Sequence, residues 1–297
     1  MNTCSLRLAV TLLAVAAFCA GAQEKPQSAP RDQANQKTFR RAPLPEGVKV
    51  LRDVEYVPGG GTSRSLDLFL PESAQPLPLV VWIHGGAWRA GSKDFCPGLP
   101  LTGHGFAVAS LNYRLSQEAV FPAQLEDCRA ALRFLRDNAK KYNLDAGHVG
   151  VWGGSAGGHL VALLGTTGGG SNQVQCVVDW YGPTDLTPDG PAHGNKIDVI
   201  TQLLGGTVQE KPALARQASP LYQVTTNAAP FLIMQGDADH TVNPEHSQRL
   251  HAALQKAGVE SALKILPGAG HGGPQFTSDE NRKLVEDFFR KHLVGAK

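Results

Sequence analysis

The chain of 297 residues lacks the charge imbalance, the long apolar runs and the cysteine density that mark several classes of protein. It has 28 basic and 26 acidic residues, a formal net charge of +2 and no dense run of like charge, so electrostatic capture of nucleic acid is not expected. The 33 glycines and 20 prolines make up about 18% of the chain, below the ~25–30% typical of low-complexity sequences. Disorder is therefore excluded as the main state, and a hydrophobic content of 42% predicts a globular protein with a substantial core.

The N-terminal residues 1–22 have the layout of a secretory signal peptide. Arg7 is the single charge ahead of an apolar stretch over residues 8–19, and small residues at positions 20–22 supply a cleavage site. The apolar stretch is too short to span a bilayer of ~30 Å. We therefore expect cleavage after Ala22 and a secreted or periplasmic mature protein without a membrane span.

Cysteine is scarce in the part of the chain that would remain after cleavage, where Cys96, Cys128 and Cys176 are the three cysteines. Cys176 lies in an apolar run over residues 174–178 and is interpreted as a buried core thiol. Cys96 and Cys128 are then the one pair that could form a disulfide. The cysteines and the ten histidines lack the spacing of metal ligands, so we expect no metal and no other cofactor.

Polar, proline-rich residues 23–45 are predicted to form a flexible lead-in, and short β-rich runs then alternate with amphipathic helices almost to the C-terminus. The predicted strands are residues 66–70, 79–83, 106–111, 149–152, 176–180, 231–234 and 263–266. The predicted helices are residues 125–135, 155–164, 244–257 and 279–293. Several strands are continuously apolar, as expected for strands buried on both faces of a parallel sheet. The pattern predicts one α/β domain over residues 46–297, with a mostly parallel central sheet and helices on both faces.

A glycine-rich turn directly follows the strand predicted over residues 149–152. The segment Gly-Gly-Ser-Ala-Gly-Gly over residues 153–158 fits a Gly-x-Ser-x-Gly pattern placed between a strand and a helix. The flanking glycines are needed because the serine must lie on a strained turn with its hydroxyl exposed. Ser155 is therefore predicted to be a nucleophile at a helix N-terminus, where developing negative charge is favoured. The alternative is an ordinary glycine-rich turn with an N-cap serine.

The segment His-Gly-Gly-Ala-Trp over residues 84–88 follows another predicted strand and resembles the His-Gly-Gly-Gly segment of lipases and esterases. Adjacent glycines leave backbone N–H groups accessible to a substrate, and each donor to an oxyanion is typically worth ~3–4 kcal/mol. Because Ala87 replaces the third glycine, the oxyanion hole is expected to draw its donors from Gly85, Gly86 and Ala156. His84 precedes Ser155 in the chain and is expected to have a structural role.

The acid and the base are expected after Ser155 in the chain. Residues 235–244 follow a predicted strand and contain two carboxylates, Asp237 and Asp239. His271 lies in a glycine-rich loop after the last predicted strand. An imidazole, whose ordinary pKa is ~6.5, can take a proton from a serine and return it to a leaving group near neutral pH.

These four motifs, in this order, resemble the α/β-hydrolase superfamily, most closely its hormone-sensitive-lipase-like and acetyl-xylan or feruloyl esterase branches. The resemblance covers residues 51–293. It implies Ser155 as nucleophile, His271 as base and then acid, and Asp239 rather than Asp237 as the carboxylate that orients His271. It also implies acyl transfer to water through a covalent acyl-enzyme.

Aromatic residues near the ends of two predicted strands are candidates for substrate binding. Trp180 and Tyr181 end one strand, and Trp88 follows the glycines of another, where ligands bind in open α/β sheets. The alternative is that these side chains pack under a cap. Residues 186–218, with a short helix over residues 196–204, are predicted to form a small lid, which favours short acyl chains over long ones.

The leading hypothesis is a secreted serine carboxylesterase that acts on short-chain or aryl acyl esters, such as acetyl or feruloyl esters of plant polysaccharide. The expected partner is a small-molecule or polysaccharide-linked ester. A serine exopeptidase of the prolyl-oligopeptidase type shares the fold and the triad, and a non-catalytic binding module with this fold is the third alternative. The presence of Ser155, Asp239 and His271 together argues against the binding module.

Overall fold

The computed structural model of the chain describes Met1, residues 44–191 and residues 197–294. Of the predicted signal peptide over residues 1–22, all but Met1 lies outside these residues, as does nearly all of the predicted lead-in over residues 23–45. Within the described ranges, no helix has both the length and the apolar character that a bilayer crossing requires.

An eight-stranded sheet lies at the centre of the described structure. Its strands are β1 (Val48–Glu55), β2 (Ser65–Pro71), β3 (Leu77–Ile83), β4 (Ala107–Leu111), β5 (Leu144–Gly154), β6 (Cys176–Trp180), β7 (Phe231–Gly236) and β8 (Ser261–Leu266). They lie in the order β1-β2-β4-β3-β5-β6-β7-β8. The β1–β2 and β2–β4 pairs are antiparallel and the remaining pairs are parallel. The predicted α/β-hydrolase fold with a mostly parallel sheet is confirmed.

β1 is missing from the predicted strands because it lies at the edge of the sheet and pairs with β2 alone. Its residues range from partly buried to exposed, and none of them is fully buried. Such a strand lacks the continuous apolar run that reveals the central strands.

Helices cover both faces of the sheet. They are α1 (Ala123–Asp137), α2 (Ala139–Tyr142), α3 (Ala156–Thr167), α4 (Ile197–Leu204), α5 (Pro212–Gln217), α6 (Glu245–Lys256) and α7 (Asp279–Leu293). Because side chains alternate between the faces of a strand, Val81 of β3 joins the apolar layer of α1, α3 and α6, whereas Val80 and Trp82 join the layer of α7. The sheet therefore separates two apolar layers.

The cysteines that remain after residue 22 are buried free thiols. Cys96 belongs to the layer that contains α7, and Cys128 belongs to the layer that contains α1 and α3. A disulfide between Cys96 and Cys128 is therefore not formed, because the sheet lies between the two thiols. Cys176 is fully buried in the α7 layer.

Candidate active site

Ser155 occupies a strained turn between β5 and α3. Its backbone has φ 57° and ψ −121°, a conformation that non-glycine residues rarely adopt. Its amide donates a hydrogen bond to the carbonyl oxygen of Trp180 over 2.8 Å, which ties the turn to the end of β6. A side chain at Gly157 would overlap the carbonyl oxygen of Ile83, so α3 can pack against the end of β3 only because that position is glycine.

A continuous chain of hydrogen bonds runs from Ser155 to Asp239. The Ser155 hydroxyl donates to Nε2 of His271 over 2.8 Å, and Nδ1–H of His271 donates to Oδ2 of Asp239 over 2.8 Å. Asp239 lies on the loop after β7, and His271 lies on the loop after β8. The three side chains thus come from the carboxyl ends of three parallel strands, where this fold places its ligand sites.

Backbone and side-chain donors surround the carboxylate of Asp239. Its Oδ1 accepts hydrogen bonds from the amides of Thr241 (2.7 Å) and Val242 (2.9 Å), and its Oδ2 accepts one from Nε2 of Gln235 (3.0 Å). Burial opposes ionisation, but the hydrogen bonds from His271 and from the backbone outweigh it and lower the pKa of Asp239. The group is therefore an anion facing His271 at neutral pH, as an orienting carboxylate requires.

Gln235 is a site residue that the motifs did not reveal. It is fully buried in the otherwise apolar strand β7, where a polar side chain needs hydrogen-bond partners. Besides its bond to Asp239, its Oε1 accepts a hydrogen bond from the hydroxyl of Ser247 on α6 over 2.9 Å. The only signal in the sequence is this polar residue at the end of an apolar strand, four positions before the acid.

Asp237 has a different position from Asp239. It is exposed, and its Oδ1 accepts a hydrogen bond from the amide of Gly268 over 2.7 Å. Gly268 begins the glycine-rich loop that carries His271. The structure therefore brings Asp239 to the imidazole and leaves Asp237 as a tie between the two loops.

The residues predicted for an oxyanion hole lie around the strained turn. A Cβ atom at Gly85 would lie 2.7 Å from the carbonyl oxygen of Gly154 and 3.2 Å from Cβ of Ser155, so any side chain there would crowd the nucleophile. Gly86 has φ 110°, which favours glycine. Ala156 is the first residue of α3 and lines the cleft beside Ser155.

Buried polar contacts hold the loop that follows β3. The ammonium group of Lys93 is buried and lies 2.7 Å from Asp67 on β2 and 2.8 Å from Asp53 on β1. The Lys93 amide donates to Oδ1 of Asn112 over 2.7 Å, and its carbonyl accepts from the hydroxyl of Ser110 over 2.7 Å. These contacts tie the C-terminal end of the loop that carries Gly85 and Gly86 to β1, β2 and β4.

His84 lies at the end of β3 as a buried, neutral side chain. Its ring stacks on that of Tyr113 with 4.5 Å between centroids, and Nδ1–H donates to the carbonyl oxygen of Gly85 over 2.7 Å. Burial lowers the pKa of His84 to about 4. These contacts fit the expected structural role, whereas His271 is the histidine that reaches Ser155.

The three aromatic candidates differ in how close they lie to Ser155 and His271. Trp180 is 3% exposed and packs in the α7 layer, with its ring centroid 4.7 Å from that of Trp152. It was predicted to bind substrate, and its burial in this apolar layer does not fit that role. Tyr181 has φ 44°, and its ring meets that of His271 edge to face at 4.7 Å. It contacts the proposed base from the side.

Trp88 lies in the cleft beside Ser155, as predicted. This cleft has a volume of about 40 Å³. It is lined by Ala87, Trp88, Ser155, Ala156, Pro183, Val199, Ile200, Thr241 and Val242. Val199 and Ile200 belong to α4, within the predicted lid over residues 186–218, of which residues 192–196 lie outside the described ranges. The motifs in the sequence did not predict that Pro183, Val199, Ile200, Thr241 and Val242 line a cleft, and they included Ala87 only as part of the segment over residues 84–88.

A buried carboxyl group with one unsatisfied oxygen lies next to the site. Asp179, near the end of β6, accepts a hydrogen bond at Oδ1 from the amide of Gly182 over 2.9 Å. Its Oδ2 has no hydrogen-bond partner among the described residues. Burial raises the pKa of Asp179 to about 7.

We expect Asp179→Asn to stabilise the protein at alkaline pH. The folded state binds this proton more tightly than the unfolded state, so the wild-type chain loses stability as the pH rises from ~4 to ~7. An amide keeps the acceptor for Gly182 and carries no charge. We compare the unfolding free energy of Asp179→Asn with that of wild type at each pH. The variant's advantage should be about 3 kcal/mol larger at pH 8 than at pH 4.5. Urea unfolding of both proteins at the two pH values measures it, and an equal difference at both would contradict the prediction.

Comparison with known proteins identifies relatives among esterases. A profile of the BD-FAE family matches residues 66–254. Esterase LipC of Mycobacterium tuberculosis is 30% identical over 215 residues, which cover 67% of this chain and 53% of that protein. The chain likewise covers 60% of the length of Esterase LipQ from the same organism.

Solved structures show the same relationship over more of the chain. A truncated form of a carbohydrate esterase from gut microbiota is 32% identical, has a TM-score of 0.78 and covers 84% of this chain and 99% of its own. An acetyl ester-xyloside bifunctional hydrolase from Caldicellulosiruptor lactoaceticus is 28% identical, has a TM-score of 0.66 and covers 76% of this chain and 88% of its own. These matches confirm the predicted resemblance to serine esterases of the α/β-hydrolase superfamily.

Proposed function

Because the chain belongs to the BD-FAE family, we propose that it is a serine carboxylesterase that hydrolyses short-chain or aryl acyl esters, such as acetyl or feruloyl esters of plant polysaccharide. The observation that carries the proposal is the unbroken chain of hydrogen bonds from Ser155 through His271 to Asp239. The names of two similar structures, a carbohydrate esterase and an acetyl ester-xyloside hydrolase, support a polysaccharide-linked substrate.

The proposed reaction passes through an acyl-enzyme. Oγ of Ser155 attacks the ester carbonyl carbon while its proton moves to Nε2 of His271, and Asp239 stabilises the imidazolium that results. Backbone amides from the pool of Gly85, Gly86 and Ala156 hold the oxyanion. The bond to the alcohol oxygen then breaks, and His271 returns its proton to the departing alcohol.

Hydrolysis of the acyl-enzyme repeats these steps with water. Nε2 of His271 takes a proton from a water molecule, whose oxygen attacks the acyl carbon. The bond from that carbon to Oγ of Ser155 breaks, and the proton on His271 returns to the serine. The carboxylic acid leaves, and no cofactor enters the proposed cycle.

A labelling reaction and a substrate panel test the proposal together. We expect the purified chain to react covalently with a fluorophosphonate and to release acetate from acetylated xylan and p-nitrophenol from p-nitrophenyl acetate. Methyl ferulate and proline p-nitroanilide complete the panel. Hydrolysis of the anilide alone would favour the exopeptidase, and absence of both labelling and hydrolysis would favour the binding module.

We also propose that the protein is exported. The proposal rests on the charge, apolar stretch and small residues of residues 1–22. Expression of the full chain in a bacterial host with two membranes should give a periplasmic or secreted product that begins at Gln23. Mass spectrometry of that product checks the cleavage site, and a cytoplasmic product that retains residues 1–22 would contradict the proposal.

A further inference from the structure

The backbone of Trp88 is held in a strained conformation. Ala87 and Trp88 have φ values of 55° and 57°, which are costly for residues with side chains. The carbonyl oxygen of Trp88 accepts two hydrogen bonds from Ser116, one from its amide (2.8 Å) and one from its hydroxyl (2.9 Å). Ser116 is itself buried. The loop thus fixes Trp88 against its intrinsic backbone preference.

The indole of Trp88 is held as firmly as its backbone. Its Nε1–H donates to Nδ1 of His159 over 3.1 Å, and the two rings meet edge to face with 5.1 Å between centroids. Trp88 is 3% exposed and His159 is fully buried. Rotation of the indole would break this bond and leave a buried nitrogen on each ring without its partner.

His159 connects the indole to the segment that follows α5. Because Nδ1 accepts from Trp88, the ring is a donor at Nε2, and this N–H donates to the carbonyl oxygen of Ala218 over 2.6 Å. Ala218 is fully buried within the predicted lid region. His159 lies one helical turn after Ser155, and its amide donates to the carbonyl oxygen of Ser155 over 2.9 Å.

The position of the indole makes it a wall of the acyl site. Trp88 comes two residues after Gly86, one of the predicted oxyanion donors, and lines the cleft with Ser155, so it lies near the group attached to the carbonyl carbon. The alcohol must lie near His271, which protonates it. The cleft that the indole lines is small, and Val199, Ile200 and Val242 give it further apolar walls, so it suits a short acyl chain.

We propose that Trp88, locked by His159 and Ser116, sets the length of the acyl group that the site accepts. This inference rests on the proposed esterase function and names the residue that makes the site favour short acyl chains over long ones. Trp88 is the specificity-determining residue, and His159 is a positioning residue that acts through it. The apolar contacts of Val199 and Ile200 close the same cleft from α4.

Substitution of Trp88 tests the proposal through a chain-length profile. We would measure kcat/KM for p-nitrophenyl acetate, propionate, butyrate, hexanoate and octanoate with wild type, Trp88→Ala, Trp88→Leu and His159→Leu. Wild type should favour acetate or propionate at least ten-fold over hexanoate. Trp88→Ala should raise the hexanoate to acetate ratio of kcat/KM by ten-fold or more. Trp88→Leu should raise this ratio less, and His159→Leu should raise it by freeing the indole.

The exposed aromatic residue Phe95 provides the control, because its ring contacts Trp82 in the α7 layer. Phe95→Ala should keep the wild-type profile. An unchanged profile in any folded Trp88 variant that still hydrolyses acetate would overturn the inference and leave the esterase function standing. A wild-type preference for hexanoate over acetate would also overturn it. Failure of wild type to hydrolyse any ester or to react with a fluorophosphonate would instead reject the proposed function.

Discussion

Replacement of Ser155 by alanine is expected to lower kcat for p-nitrophenyl acetate by about 10⁵–10⁶-fold, because it removes the atom that forms the acyl-enzyme. The remaining residues can still bind the ester and polarise its carbonyl, so activity about 10³–10⁴-fold above the uncatalysed rate should remain. The variant should also lose covalent labelling by a fluorophosphonate. Its unfolding midpoint should stay close to that of wild type, because among the described residues the Ser155 hydroxyl bonds to His271 alone.

A serine-to-alanine variant far from the site serves as the control for activity lost during purification and assay. Ser73 is exposed in the turn between β2 and β3, where its hydroxyl donates to the carbonyl oxygen of Gln75 over 2.7 Å. Ser73→Ala should keep kcat within two-fold of wild type. If Ser155→Ala retained more than a tenth of wild-type activity and still reacted with the probe, a different residue would be the nucleophile.

Replacement of Asp239 by asparagine is expected to lower kcat by about 10⁴-fold. An amide cannot stabilise the imidazolium of His271, and its NH₂ group favours the imidazole tautomer that points its proton at Ser155. The variant also loses the anion that the amides of Thr241 and Val242 hold in place. Steady-state kinetics on p-nitrophenyl acetate measure the loss, which should fall on kcat far more than on KM.

Asp237→Asn is the control for this variant, because the same substitution is made two positions away. Its side-chain oxygen can still accept from the amide of Gly268, so the loop that carries His271 should stay in place. We expect a loss of less than ten-fold. Equal losses in the two variants would show that the assignment of Asp239 as the orienting carboxylate is mistaken.

The residues of the triad could be found in the sequence because each lies in a short segment with its own local requirement. Ser155 needs glycines on both sides to fit between β5 and α3, and His271 needs a loop that can approach the turn. The choice between Asp237 and Asp239 came from a family resemblance. The structure supplies its physical basis, because Asp239 is buried among donors and Asp237 faces solvent.

The lining of the cleft could not be found in this way, since it depends on contacts between distant segments. Val199 and Ile200 reach the cleft from α4 and have the pattern of any amphipathic helix. Trp180 and Tyr181 are neighbours in sequence and both rings contact Phe276, yet of the two it is the ring of Tyr181 that also meets His271. The positive φ of Tyr181 then turns its ring toward His271, and composition alone does not indicate such a turn.

The order of the strands has a consequence for how activity is lost on heating. Ser155 follows β5, which pairs with strands on both sides, whereas His271 follows β8, which pairs with β7 alone. Terminal strands open in local fluctuations that cost less than unfolding of the whole domain. We therefore expect the protein to lose its esterase activity several degrees below its melting temperature and to regain it on cooling. Parallel measurements of activity and of circular dichroism against temperature would test this. In this temperature range Ser155 would keep its folded position, and activity would be lost because His271 no longer accepts its proton.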